Sequence, residues 1–153
     1  TTKIITTRNT LTDKERLIAR LRDIYKTDNV ALMYFINNYY SEELSVAFNT
    51  SSYTDVEYAI VSFKNPSVIS HEFLHLFGAW DLYITPFEKD KKEQERKAFA
   101  MKEFPNEIMA FAYRGIDSLD ISPFTKYCIG WDKRLDKKYT EMILGKNIKP
   151  VKY

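Results

Sequence analysis

His71-Glu72-Phe73-Leu74-His75-Leu76-Phe77-Gly78-Ala79-Trp80-Asp81 gathers both histidines of the chain into one segment with two carboxylates and a glycine. On an α-helix, side chains four apart share a face. His71 and His75 can therefore aim two ring nitrogens at one metal ion. Glu72 stands beside the first of them and can reach the open side of such an ion without ligating it. Two neutral imidazoles and one further ligand leave a fourth position for water, the arrangement of a catalytic zinc. Zinc lowers the pKa of that water, and a nearby carboxylate can take its proton. Gly78 supplies the sharp stop a helix needs after the second ligand, because glycine accepts the left-handed conformation. Beyond that stop Asp81 can return toward the ion as the third ligand.

Glu72 among Phe73, Leu74, Leu76 and Phe77 is hard to read as an ordinary surface acid, since an unpaired carboxylate in apolar surroundings is costly. Cys128 is the single cysteine, so no internal disulfide can form. Its neighbours Tyr127 and Ile129 suggest a small buried hydrophobe rather than a catalytic thiol.

The continuation through Gly78 to Asp81 resembles the metzincin clan of zinc endopeptidases, whose motif is H-E-x-x-H-x-x-G-x-x-H. Asp81 stands at the last position, so the match is to the aspartate variant found in the snapalysin-like small metzincins. The resemblance covers mainly residues 65–131. It implies one catalytic Zn²⁺ held by His71, His75 and Asp81, with Glu72 as general base. It also implies a methionine turn beneath the metal, matched by Phe104-Pro105-Asn106-Glu107-Ile108-Met109-Ala110 with Met109 as the methionine. Some members place a tyrosine two residues after that methionine. Phe111 stands there, and the role is not carried over to Tyr113.

The implied reaction is peptide-bond hydrolysis of a peptide or protein substrate. Tyr83, Phe111 and Tyr113 are candidates for the wall that receives a substrate side chain. An extended substrate would lie along a cleft-edge strand, either 44–48 or 56–63. Two other readings share the metal. One is a zinc amidase or deacylase acting on a non-protein amide. The other is a non-enzymatic, zinc-stabilised binding module, which would need a closed four-ligand site.

The 153 residues fit a single catalytic domain with one core. Apolar residues make up 44% and aromatic residues 15%, enough to bury a core. A net charge of +2 with mixed signs gives no nucleic-acid footprint. No apolar run approaches the roughly 20 residues of a membrane span. A monomer is expected. The chain opens on Thr1-Thr2-Lys3 without a signal-peptide pattern, as a mature or trimmed product would, and a secreted or extracytoplasmic location is expected.

The elements that must position the site read as an α/β (α+β) order: a mixed twisted sheet, an active-site helix, the methionine turn and a C-terminal helix. Strands are predicted at 3–7, 30–36, 44–48 and 56–63, with 30–36 buried. Thr10 or Thr12 caps a helix through Tyr25 that buries Leu11, Leu17, Ile18, Leu21 and Ile24. Turns are expected at 37–38 and 41–42. Asn65-Pro66 opens the zinc helix with a cap and an N1 proline, and Val68, Ile69, Phe73, Leu74 and Phe77 make it apolar nearly all round, hence buried. Residues 88–97 read as a solvated segment in which Lys89 pairs with Glu93 and Lys91 with Glu95. Ser122-Pro123 opens the last helix, running to Gly130, and 132–153 is a basic tail.

Overall fold

The computed structural model describes residues 12–36, 45–48, 57–62 and 65–144. The predicted strand at 3–7, the cap at Thr10, Leu11, the turns at 37–38 and 41–42, and the tail beyond 144 lie outside the described residues.

Three strands form a mixed sheet in the order β1-β3-β2: β1 (Met33–Phe35), β2 (Val46–Phe48) and β3 (Tyr58–Val61). β1 runs parallel to β3 and pairs Tyr34 with Ile60; β2 runs antiparallel and pairs Ala47 with Ala59. β3 is the central strand, and its Ala59 and Val61 are fully buried. The β-branched and aromatic residues of these runs favour the pleated conformation. β1 is not the buried strand expected of 30–36. Among the described strands it lies at the sheet edge, and Tyr34 and Phe35 are exposed.

Among the described residues six α-helices follow one another: α1 (Asp13–Tyr25), α2 (Pro66–His75), α3 (Lys91–Glu103), α4 (Ile108–Phe111), α5 (Pro123–Cys128) and α6 (Lys137–Tyr139). α1 begins at a full capping box: Thr12 accepts from the Glu15 amide, and Glu15 accepts from the Thr12 amide. Its apolar stripe is not buried as expected. Leu17 is 43% and Ile24 57% exposed, and no residue of α1 is buried.

α2 starts as predicted. Asn65 caps it by accepting from the Ser67 amide at 3.1 Å, and Pro66 occupies the first turn. It is not buried all round: Phe73 is 41% exposed, while Ser67, His71, Glu72 and Leu74 are buried. The buried stripe thus follows the spacing of Ser67, His71 and Leu74, and it carries the chemistry. α3 starts later and runs further than 88–97. Asp90 caps it through the Lys92 amide, so Lys89 stands outside the helix and cannot form the expected pair with Glu93. The observed pairs are Lys97–Glu88 at 3.3 Å and Arg96–Glu93 at 3.2 Å. α5 opens on Ser122, which accepts from the Thr125 amide. The start of the basic tail forms α6 and a π-helical turn, Thr140–Leu144, that carries Ile143 into the core. Among the described residues no helix is long and apolar enough to cross a membrane.

The core gathers Leu74, Leu82, Ala100, Met109, Phe111 and Phe124. At its centre lies a carboxylate. Glu107 is 1% exposed and caps α4. One oxygen accepts from the Met109 amide and the Thr125 hydroxyl, both at 3.1 Å, and the other accepts from the Ser122 amide. One buried acid thus ties the start of α4 to the start of α5. Glu107→Ala strands three donors at once and is expected to cost about 3–5 kcal/mol, read as a lowered urea midpoint at unchanged slope. A loss below about 1 kcal/mol would contradict this role for Glu107.

Candidate metal centre

α2 ends so that its two histidines face a returning loop. After His75 the chain passes Leu76 and Phe77 to Gly78, whose φ is +92°. The Ala79 amide donates to the Leu74 carbonyl at 3.2 Å and the Gly78 amide to the His75 carbonyl at 3.0 Å. These paired bonds form a Schellman stop and satisfy two orphan carbonyls of the helix end. Glycine is required twice over at this corner. Its φ is left-handed, and a Cβ would stand 3.3 Å from the Cys128 carbonyl oxygen. Ala79 is buried beyond the corner, and Trp80 packs edge-on against Phe124 at 5.9 Å between ring centres. The next residue, Asp81, is thereby brought back over the helix.

The three expected ligands meet. His71 Nε2 and His75 Nε2 lie 3.1 Å apart. Asp81 Oδ1 lies 3.1 Å from His75 Nε2 and 3.2 Å from His71 Nε2. Two donors bound at about 2.0–2.1 Å to one tetrahedral zinc stand about 3.3 Å apart, so the triangle has the right scale for a single ion. Among the described residues, His71, His75 and Asp81 are the group of acids, thiols and imidazoles that could hold a metal ion.

The outer nitrogens fix which atoms are available. His71 Nδ1 lies 3.2 Å from the Ile108 carbonyl, and His75 Nδ1 lies 2.8 Å from the Ala79 carbonyl. A carbonyl oxygen only accepts, so each Nδ1 must carry a proton. In the neutral rings both Nε2 atoms then present lone pairs toward each other and toward an anionic oxygen. Such a concentration of acceptors suits a cation, and the carbonyls behind it are the orienting partners that metal-bound histidines require.

A proton can take the place of a cation here: with one on an inner ring nitrogen, the histidines hydrogen-bond to Asp81. Burial alone would raise the Asp81 carboxyl, but hydrogen bonds and charge from His71 and His75 outweigh it and hold Asp81 far below the usual carboxylate range. Burial pulls His75 down, yet the Asp81 hydrogen bond and charge leave it raised. Glu72 is raised by burial, with the two histidines opposing the shift. The Ala47 backbone opposes part of that rise. Burial, then the charges of Asp81 and Glu72, raise the Tyr83 phenol.

A cavity of about 300 Å³ opens over these groups, bounded by Val46, Ala47, Glu72, Asp81 and Tyr83. The Asp81 side chain is 38% exposed, which leaves that side of the cluster open to solvent. Of the two candidate cleft strands, β2 borders the site and is an edge strand among the described residues, whereas β3 is central. Tyr83 borders this cavity, and Tyr113 an adjoining one. Phe111 borders neither: at 7% exposure it belongs to the core, where the Arg114 guanidinium stacks on its ring at 4.0 Å. Met109 is fully buried at the start of α4. Its carbonyl accepts from the Leu82 amide at 3.0 Å, one residue past Asp81, while the preceding carbonyl, of Ile108, holds His71. The segment therefore braces both ligand-bearing elements from behind.

Several functional contacts were not read from the sequence. The Ile108 and Ala79 carbonyls and the Glu107 network had no signal in residue type or spacing. Comparisons of the chain with protein-family models, with curated proteins and with solved structures return no match.

Cys128 takes no part in the cluster. Burial, with the charge of Glu107, pushes its thiol up to about 12. Its alkylation at pH 8 is expected to run roughly 10²–10³-fold slower in the folded than in the unfolded chain. Equal rates would contradict the assigned environment. Gly78→Ala is expected to lower stability by about 1–2 kcal/mol, as a left-handed non-glycine residue should. A neutral result in chemical denaturation would mean the corner relaxes without cost.

Proposed function

We propose that this chain is a zinc-dependent endopeptidase of the metzincin kind, with Asp81 in place of a third histidine. The observation that carries the reading is the convergence of two Nδ1-protonated imidazoles and one carboxylate oxygen, open on one side and flanked by a buried glutamate. Zinc bound there would acidify a water molecule and polarise a scissile carbonyl. His71, His75 and Asp81 would hold it, oriented by Ile108, Ala79 and the Gly78 corner.

Glu72 is the general base. It follows His71 on α2 and lines the same small cavity, which Ala47 of β2 also borders. It takes the proton of the attacking water and returns it to the departing amide nitrogen. β2 presents its main-chain groups beside the site, and an extended peptide would pair along it as an added strand. Met109 and its neighbours act as the methionine turn, in the form of the short helix α4. Against a structural metal stands the ligand count. Closed sites use four protein donors, and the group found among the described residues has three.

The zinc-loaded chain is expected to cleave a mixed peptide library. Glu72→Gln should lower the rate by about 10²–10⁴-fold while zinc content stays the same. Cleavage by the variant at the unaltered rate would remove the general base, and with it this mechanism.

A further inference from the structure

Beyond Asp81 the chain exposes apolar groups in close succession. Tyr83, Ile84 and Phe87 all face solvent, and Phe87, at 86%, is the most exposed large apolar side chain among the described residues. Isolated surface hydrophobes are ordinary, but these share one short loop. The loop is held at both ends. Leu82 is buried, with its amide bonded to the Met109 carbonyl, and the Glu88 amide donates to the Thr85 carbonyl at 3.1 Å. That second bond closes a turn over Thr85-Pro86-Phe87-Glu88, with proline at the position that favours it and Phe87 at the tip.

Below the tip the turn is tied to α3. The Glu88 carboxylate pairs with Lys97 at 3.3 Å, and the pair is largely buried. The Gln94 side-chain amide donates to the Glu88 carbonyl, and the Asp90 amide donates to the Glu88 carboxylate at 3.4 Å. The backbone that carries Phe87 is thereby fixed. Lys89, Lys91 and Lys92 follow directly; all three are exposed, and none forms an ion pair among the described residues. With Glu88 neutralised by Lys97, the stretch 87–92 sets these three lysines against Asp90, whose carboxylate is committed to the Lys92 amide. Lys91 and Lys92 do not serve the helix, since cations in a first helical turn oppose its peptide dipoles.

We propose that this loop docks on an anionic lipid surface: the Phe87 ring enters the headgroup layer, and Lys89, Lys91 and Lys92 meet its negative charge. Aromatic and basic side chains together are what hold a protein at a bilayer interface. Shape favours lipid over a protein partner. A stable protein interface buries about 800 Å² on each side with close complementarity. A single braced tip offers no such area, whereas a soft headgroup layer admits it. Phe87 stands six residues past Asp81, so at most about 20 Å of chain separates the metal centre from the lipid. Docking would set the open centre against material held at that surface. The binding itself requires no metal and is independent of the hydrolase reading.

The test is co-sedimentation of the full chain, as purified, with vesicles of phosphatidylcholine alone or mixed with phosphatidylglycerol. The mixed vesicles should bind it, and added salt should weaken the binding. Phe87→Ser should weaken it about tenfold. Replacing Lys89, Lys91 and Lys92 together by glutamine should weaken it about 10²-fold at low salt. Phe87→Trp follows the tip directly. On the mixed vesicles its emission should shift to the blue and be quenched by brominated lipid, beyond the signal of Trp80 and Trp131 in the unaltered chain. Equal binding to both kinds of vesicle, or undiminished binding by Phe87→Ser, overturns the proposal. Failure to sediment with either also overturns it and leaves the tip to a protein partner. Vesicle binding by a chain that cleaves no peptide keeps the lipid surface and removes the hydrolase reading; cleavage without vesicle binding does the reverse.

Discussion

Everything around the centre of this protein serves one constraint: three lone-pair donors are held at mutual distances of 3.1–3.2 Å. Left to themselves, two imidazole nitrogens and a carboxylate oxygen would not share so small a space. Protonation or a cation must compensate their repulsion. Both outer nitrogens are spent on backbone carbonyls, so the inner ones face each other as acceptors in the neutral rings. A metal ion resolves that arrangement without breaking either orienting bond.

The scaffold is economical in how it meets this demand. One helical turn separates the first two ligands, and a Schellman stop at Gly78 delivers the third. Backbone groups do the rest. Ile108 and Ala79 aim the rings, Met109 receives the chain just after Asp81, and Ala47 borders the cavity beside Glu72. Behind them Glu107 joins α4 to α5 with three hydrogen bonds, so the brace under His71 is itself tied to the core. The same α4 turn that steadies the ligands leaves two alanines along the adjoining cavity.

What could be read in advance was local. His71, Glu72, His75, Gly78 and Asp81 lie within one turn-and-corner, where helical spacing and glycine's conformational freedom dictate placement. The caps at Thr12, Asn65 and Ser122 were legible for the same reason: a cap is a relation between residues two or three apart. Relations across the fold were not legible. His71 meets a carbonyl 37 residues away, and any residue type supplies a carbonyl. Glu107 has no compositional mark that separates a buried triple acceptor from a surface acid. The apolar stripe of α1 encodes a face, but not what covers it, and Leu17 and Ile24 are exposed. Phe111 was open to two placements by type alone, and packing decided for the core.

The most direct measurement is zinc binding itself, by native mass spectrometry and X-ray absorption on the intact chain. A three-donor zinc site predicts one ion per chain, nitrogen and oxygen neighbours at about 2.0–2.1 Å, and loss of that ion in Asp81→Ala. A chain that stays empty in stoichiometric zinc, or holds the ion equally well without Asp81, would contradict it.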